Sequence, residues 1–273
     1  MLKQRILTAL ILAPLAIWGV LALSSPVFAI VVGLVFVLGA REWGRFAGFA
    51  TVGQWGYALI LGALLVLLYP FISSHDAVAI ALISLALLWW FLGLVWVLKY
   101  PAGSALWARN RLLPALAGVL ILIPAWMALV WLQRIPGPEF VLLLMLLVWG
   151  ADVGAFFAGR RWGRRKLAPQ VSPGKTWAGF YGALASALVI AVVAILLPRP
   201  VIQNIPGFLL LSLLTVSISV LGDLMESMFK RMAGLKDSGH LLPGHGGVLD
   251  RIDSMTAAAP LFAAGLMCMG VGS

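Results

Sequence analysis

Between Lys230 and Asp253 the sequence gathers seven charged residues and two of the chain's three histidines. Asp250 and Asp253 stand three apart, as do Asp223 and Glu226 just upstream. On a helix that spacing puts two carboxylates on one face. If the two helix ends meet, up to four acids point at one place and repel unless a cation neutralises them. Mg²⁺ is held by one or two carboxylates together with substrate phosphate oxygens. Lys230, Arg231, Lys236 and Arg251 surround these acids. Pro243-Gly244 and Gly246-Gly247 interrupt helix and let backbone N–H groups face a ligand, with His245 between the pairs. Acids, bases and glycines together suit phosphoryl transfer, in which cations grip phosphates and carboxylates hold metal. Helix N-terminal acids and a solvated Glu226 are the plainer alternative.

A second basic segment reads RRWGRRKLAPQVSPGKTW. A phosphate-binding G-x-x-x-x-G-K-[ST] loop would need glycine at 169, where Pro169 stands, so it is not a Walker A loop. Ser172, Lys175 and Thr176 are expected to start the seventh helix, whose N-terminus favours an anion. Asp152 lies inside the apolar run LLVWGADVGAFFAG. An acid inside a spanning helix costs about 2.5–3.5 kcal/mol, less near the ends. Asp152 therefore needs a partner or a wet cavity; a functional carboxylate and a structural ion pair both satisfy that need. Gly150 and Gly154 flank it and would let another backbone come close.

The elements that must position these residues are membrane-spanning helices. The chain is 63% hydrophobic with a mean hydropathy of +1.07, against roughly half apolar residues in a soluble domain. Nine apolar segments stand out, near 6–23, 26–40, 57–73, 77–98, 112–132, 139–159, 177–197, 206–226 and 254–271. The expected fold is an all-α polytopic membrane bundle of about nine spans. The first segment follows Lys3 and Arg5 and is longer than a signal-peptide core, so it reads as an uncleaved helix. With the N-terminus in the cytoplasm, Arg134 and Arg199 alone among the 19 lysines and arginines fall outside. That is the positive-inside pattern. It accounts for the net charge of +10 without nucleic acid. Cys268 is the one cysteine, which excludes an intramolecular disulfide and a cysteine metal site.

The charged segments resemble the phosphatidate cytidylyltransferases, also called CDP-diacylglycerol synthases. The family signature is matched at Ser227, Lys230, Arg231, Lys236, Asp237, Gly239, Pro243, His245, Gly246, Gly247, Asp250, Arg251 and Asp253. Asp152, Gly159-Arg160 and Ser172-Pro173-x-Lys175-Thr176-Trp177 also look like this family, with Ala178 where many members carry glutamate. The specific resemblance covers about residues 150–254. It divides the chain into N-terminal helices 1–140, with little specific signal, and a catalytic region 141–273 holding the motif 227–253.

The resemblance implies CTP plus phosphatidate giving CDP-diacylglycerol and pyrophosphate. It implies Mg²⁺ or another divalent cation, a site opening to the cytoplasm from the bilayer of a bacterial inner membrane, and a homodimer in many members. On this reading Asp223, Asp250 and Asp253, with Asp152, hold metal. Lys230, Arg231, Lys236 and Arg251 grip phosphates, helped by Ser172, Lys175, Thr176 and Ser227. Gly246 and Gly247 give backbone access, and Asp237 and His245 complete the catalytic set. A CTP-dependent lipid-alcohol kinase would share these demands but release CDP. A transporter would place its charges near the midplane and repeat its helices.

Overall fold

The computed structural model describes residues 2–74, 76–102, 104, 110–198, 202–241 and 246–271. The described residues form helices α1 (Leu2–Ala22), α2 (Ser25–Phe46), α3 (Thr51–Ser74), α4 (Asp76–Lys99), α5 (Leu112–Arg134) and α6 (Pro138–Trp162). A hairpin of β1 (Lys166–Ala168) and β2 (Ser172–Thr176) follows, then α7 (Trp177–Leu196), α8 (Ile205–Met232) and α9 (Leu249–Cys268). Every apolar segment read from the sequence coincides with one of these helices. Seven of them, α2 to α8, are long and apolar enough to cross a membrane. Their many exposed leucines, valines and phenylalanines are what a lipid-facing surface requires.

α5 is the most buried of these spans. It packs antiparallel to α2, and indole and amide donors bind main-chain carbonyls along the seam. Trp43 Nε1 donates to Pro114 O (2.7 Å), Trp126 Nε1 to Ala29 O (3.0 Å) and Gln133 Nε2 to Leu23 O (3.0 Å). In an apolar surrounding each such polar side chain needs a partner.

Small residues set the two seams nearest the charged segments. α6 and α7 meet backbone to backbone: a methyl group on Gly182 would stand 2.5 Å from Gly154 O, and one on Gly154 would strike Ser186. Such close approach is how helices associate where lipid offers no hydrophobic drive. α8 and α9 cross at Gly222, where a methyl group would stand 2.6 Å from Asp253 O. The crossing thereby brings Asp223 beside the start of α9.

Two expectations are corrected. Residues 172–176 do not begin a helix; they form β2, paired antiparallel with β1 through Lys166↔Thr176 and Ala168↔Ser172. The helix begins at Trp177, and Thr176 is its cap, with Oγ1 accepting from Gly179 N (3.1 Å). The fold is thus helical with one small sheet. The second and third segments also run further than their apolar cores, to Phe46 and back to Thr51.

Candidate active site

α8 has 28 residues. At 1.5 Å per residue about twenty of them cross a hydrocarbon core of about 30 Å. The last two turns, which carry Ser227, Lys230 and Arg231, therefore reach the membrane edge, with Asp223 one turn further in. The start of α9, the hairpin and the C-terminal end of α2 meet them there.

Lys230 joins α8 to α9. Its ammonium contacts Asp250 Oδ1 at 2.7 Å and Glu226 Oε2 at 3.2 Å, and all three side chains are largely buried. Asp250 also accepts from Gly247 N (2.8 Å) and Ser238 N (3.1 Å). Its bond to Gly247 reaches back over the first turn of α9, as the acid of a capping box does. Asp250 thus ties the glycine segment, α8 and α9 together.

Lys175 joins the hairpin to α8, with Nζ 2.5 Å from Asp223 Oδ2. Ser227 Oγ donates to the other oxygen of Asp223 at 3.2 Å. One turn past Ser227, Arg231 Nε donates a long bond to Val171 O (3.4 Å). Asp152 on α6 lies within electrostatic range of Lys175, Asp223 and Arg251. It opens on a cavity of about 610 Å³ between α6, α7 and the hairpin, whose walls include Arg160, Lys175, Phe156 and Phe180. Asp152 thus faces a cavity that it shares with Arg160 and Lys175.

Asp253 feels the charges of Asp223 and Lys230, and the carboxyl group of Glu226 stands against it. Glu226 is 2% exposed, and its Oε1 has no hydrogen-bond donor. Among the described residues no three His, Cys, Asp or Glu side chains converge as a complete metal-ligand set. A divalent cation nevertheless fits the donors present. Asp223 and Asp253 supply two neighbouring carboxylates, and the oxygen of Glu226 behind them lacks a partner. One or two carboxylates suffice for Mg²⁺ when substrate phosphates complete the shell.

The glycine segment is filled from within the protein. Glu42 of α2, 2% exposed, accepts from Val248 N (3.1 Å), Leu249 N (2.8 Å) and Ser238 Oγ (3.0 Å). Its oxygens leave no room for a side chain at Gly239 or Gly247. One turn along α2, Arg45 Nη1 donates to Ser238 O at 2.5 Å. The N–H of Gly247, which the sequence offers to a ligand, is committed to Asp250. Gly246 has φ +79°, a left-handed conformation that favours glycine. Sequence reasoning missed Glu42 altogether. The available signal was an acid between two arginines at the end of an apolar helix, but its partners lie about two hundred positions away.

Of the expected site residues, the fold brings together Asp152, Lys175, Asp223, Ser227, Lys230, Asp250, Arg251 and Asp253. Thr176 is committed to its cap, and Ser172 is half-buried in β2. Lys236 and Asp237 are exposed on the segment after α8. His245 lies outside the described residues.

The comparisons with known proteins point the same way as this geometry. The chain is 48% identical to a phosphatidate cytidylyltransferase of Pseudomonas aeruginosa over the full length of both. It is 43% identical to one of Haemophilus influenzae, covering 96% of this chain and 97% of the other. A Staphylococcus saprophyticus protein of the same name is 46% identical over about half of each chain. The model of the cytidylyltransferase family matches residues 3–269. A match of that extent takes in the N-terminal helices as well as the charged ends, and the chain belongs to the cytidylyltransferase family.

Proposed function

We propose that this chain transfers the cytidylyl group of CTP to phosphatidate, giving CDP-diacylglycerol and pyrophosphate. The observation that carries this reading is the meeting of Lys175, Lys230, Asp223, Asp250 and Asp253 at the ends of α8, α9 and the hairpin. The full-length relatives of that name support it.

A phosphate oxygen of phosphatidate attacks the α-phosphorus of CTP. The bond from that phosphorus to the bridging oxygen breaks, and its electron pair leaves with pyrophosphate. The nucleophile is ionised near neutral pH, since such phosphates have a second pKa of about 6. No general base is needed. The obstacle is repulsion between two anions, so catalysis rests on positioning and charge neutralisation. Lys175, Arg231, Lys236 and Arg251 grip phosphates, and Ser172 and Ser227 lie beside them. Lys230 is held between Glu226 and Asp250 and keeps the acids in place. His245 and Asp237 complete the set on the segment between α8 and α9. Asp223 and Asp253 hold Mg²⁺, with Asp152 nearby. When bound, the cation supplies positive charge to the triphosphate.

Because the bases collect at this end, the positive-inside rule places it in the cytoplasm. The N-terminus then lies on the same side, and about nine helices span a bacterial inner membrane. Phosphatidate enters from the bilayer, CTP from water, and the protein works as a homodimer.

The test is an assay of detergent-purified protein with phosphatidate, CTP and Mg²⁺, with EDTA and Asp250→Asn controls. Metal-dependent CDP-diacylglycerol with stoichiometric pyrophosphate is the expected result. CDP with a newly phosphorylated lipid alcohol would replace this reading with a lipid kinase.

A further inference from the structure

The segment between α8 and α9 has the composition of an anion-binding loop, yet the N–H groups of Ser238, Gly247, Val248 and Leu249 face carboxylates of the protein itself. Asp250 takes Ser238 N and Gly247 N; Glu42 takes Val248 N and Leu249 N. Glu42 therefore sits where a helix N-terminus would bind a phosphate. It is buried, it comes from the second helix of the chain, and it fills the space that Gly239 and Gly247 leave open. Arg45, on the same helix, holds Ser238 from its carbonyl side while Glu42 holds the hydroxyl.

We infer that Glu42 is a positioning residue for the transfer reaction: by occupying the N-terminus of α9 it fixes the direction in which Asp250 and Asp253 project. The inference rests on the proposed function for its kinetic consequence. Its structural half stands apart from that reading. Glu42 touches no substrate. It acts through the opening turns of α9, where both aspartates are anchored: Asp250 bonds Gly247 N, and Asp253 Oδ1 accepts from Ser254 N at 2.6 Å. A rotation of these turns by one hydrogen bond's slack moves both carboxylates relative to Asp223. Small misplacements of reacting groups cost about a hundredfold in rate.

A carboxylate suits this place better than an amide. Glu42 accepts three bonds with two oxygens. Glutamine offers one acceptor oxygen and a nitrogen that would point a donor at other donors. A charged acceptor also gains from the helix dipole.

Glu42→Gln and Ser238→Ala, singly and together, are to be compared with wild type as monodisperse detergent-solubilised protein. The readouts are kcat and KM for CTP, and hydrogen exchange of peptides covering residues 236–253. Glu42→Gln is expected to lower kcat at least tenfold with KM within about twofold, and to speed exchange at Val248 and Leu249. Ser238→Ala is expected to lower kcat two- to threefold. The double variant should be no worse than Glu42→Gln, because the hydroxyl has by then lost its acceptor. Wild-type kcat in folded Glu42→Gln, with only a lower melting temperature, would overturn the inference and leave Glu42 a packing residue. Where Glu42→Gln yields no monodisperse protein, Ser238→Ala decides, and unchanged kcat there overturns the inference. Should wild type make no CDP-diacylglycerol, the proposed function fails, and unchanged exchange at Val248 and Leu249 would separately overturn the positioning role.

Discussion

In the hairpin, the backbone bonds of β1 and β2 go to each other, and Lys175 reaches Asp223 from a frame that is complete without it. Between α8 and α9, the N–H groups of Ser238 and Gly247 go to Asp250 at the start of α9, and those of Val248 and Leu249 go to Glu42 on distant α2. Both segments are basic and rich in Gly, Pro and Ser, and both read from composition as phosphate grips. One is a scaffold that presents a cation. The other is a junction held by Glu42, Lys230 and Asp250. Similar residues therefore yield a tolerant element and an intolerant one, and the destination of the backbone N–H groups decides which.

Lys230→Ala should break the junction most severely. It strands Glu226 and Asp250 as buried uncompensated acids, a loss of about 3–5 kcal/mol. Thermal unfolding in detergent would register it, and wild-type stability would show the junction to be looser than its geometry. Lys175→Ala should lower turnover about 10²–10³-fold, the scale of removing one charge-stabilising donor, while leaving the melting temperature near wild type. Unfolding of that variant would erase the distinction between the two segments.

The glycines sharpen the comparison. A methyl group at Gly247 collides with Ser238 and Glu42, so Gly247→Ala should cost about 1–3 kcal/mol, as other overpacked sites do. In the hairpin, Thr176→Ala removes the cap of α7 and should cost about 1 kcal/mol. Gly174→Ala meets nothing within 4 Å and should change stability by less than about 0.5 kcal/mol. Equal sensitivity at positions 174 and 247 would mean that the two segments do not differ in tolerance. Each is checked by the same unfolding measurement.

The helices were legible because an apolar run of about 20 residues has few alternatives in a membrane. Their polar ends were not. Arg41, Glu42 and Arg45 lie beyond the apolar run, yet the helix continues through them to Phe46, and Glu42 and Arg45 find their partners in another part of the chain. The charged cluster was partly legible from the i, i+3 acids, since Asp223 and Asp253 lie within electrostatic range of each other, although among the described residues no three acids converge as a metal-ligand set. The hairpin was not, because strands of three and five residues with Pro173 and Gly174 inside carry no alternating pattern. It is held instead by ends that meet, with Trp177 N donating to Arg165 O at 3.0 Å. The role of Gly247 was half legible: its smallness was plain, but the carboxylate that requires it came from position 42.

The bond from Leu249 N to Glu42 spans 207 positions. During synthesis, α2 leaves the ribosome long before its acceptor oxygens have a donor. Until the start of α9 arrives, a charged carboxylate waits at the membrane edge, hydrated and free to turn. The start of α9 is therefore what desolvates it, and the charged end of the molecule takes its shape only once α9 has been made.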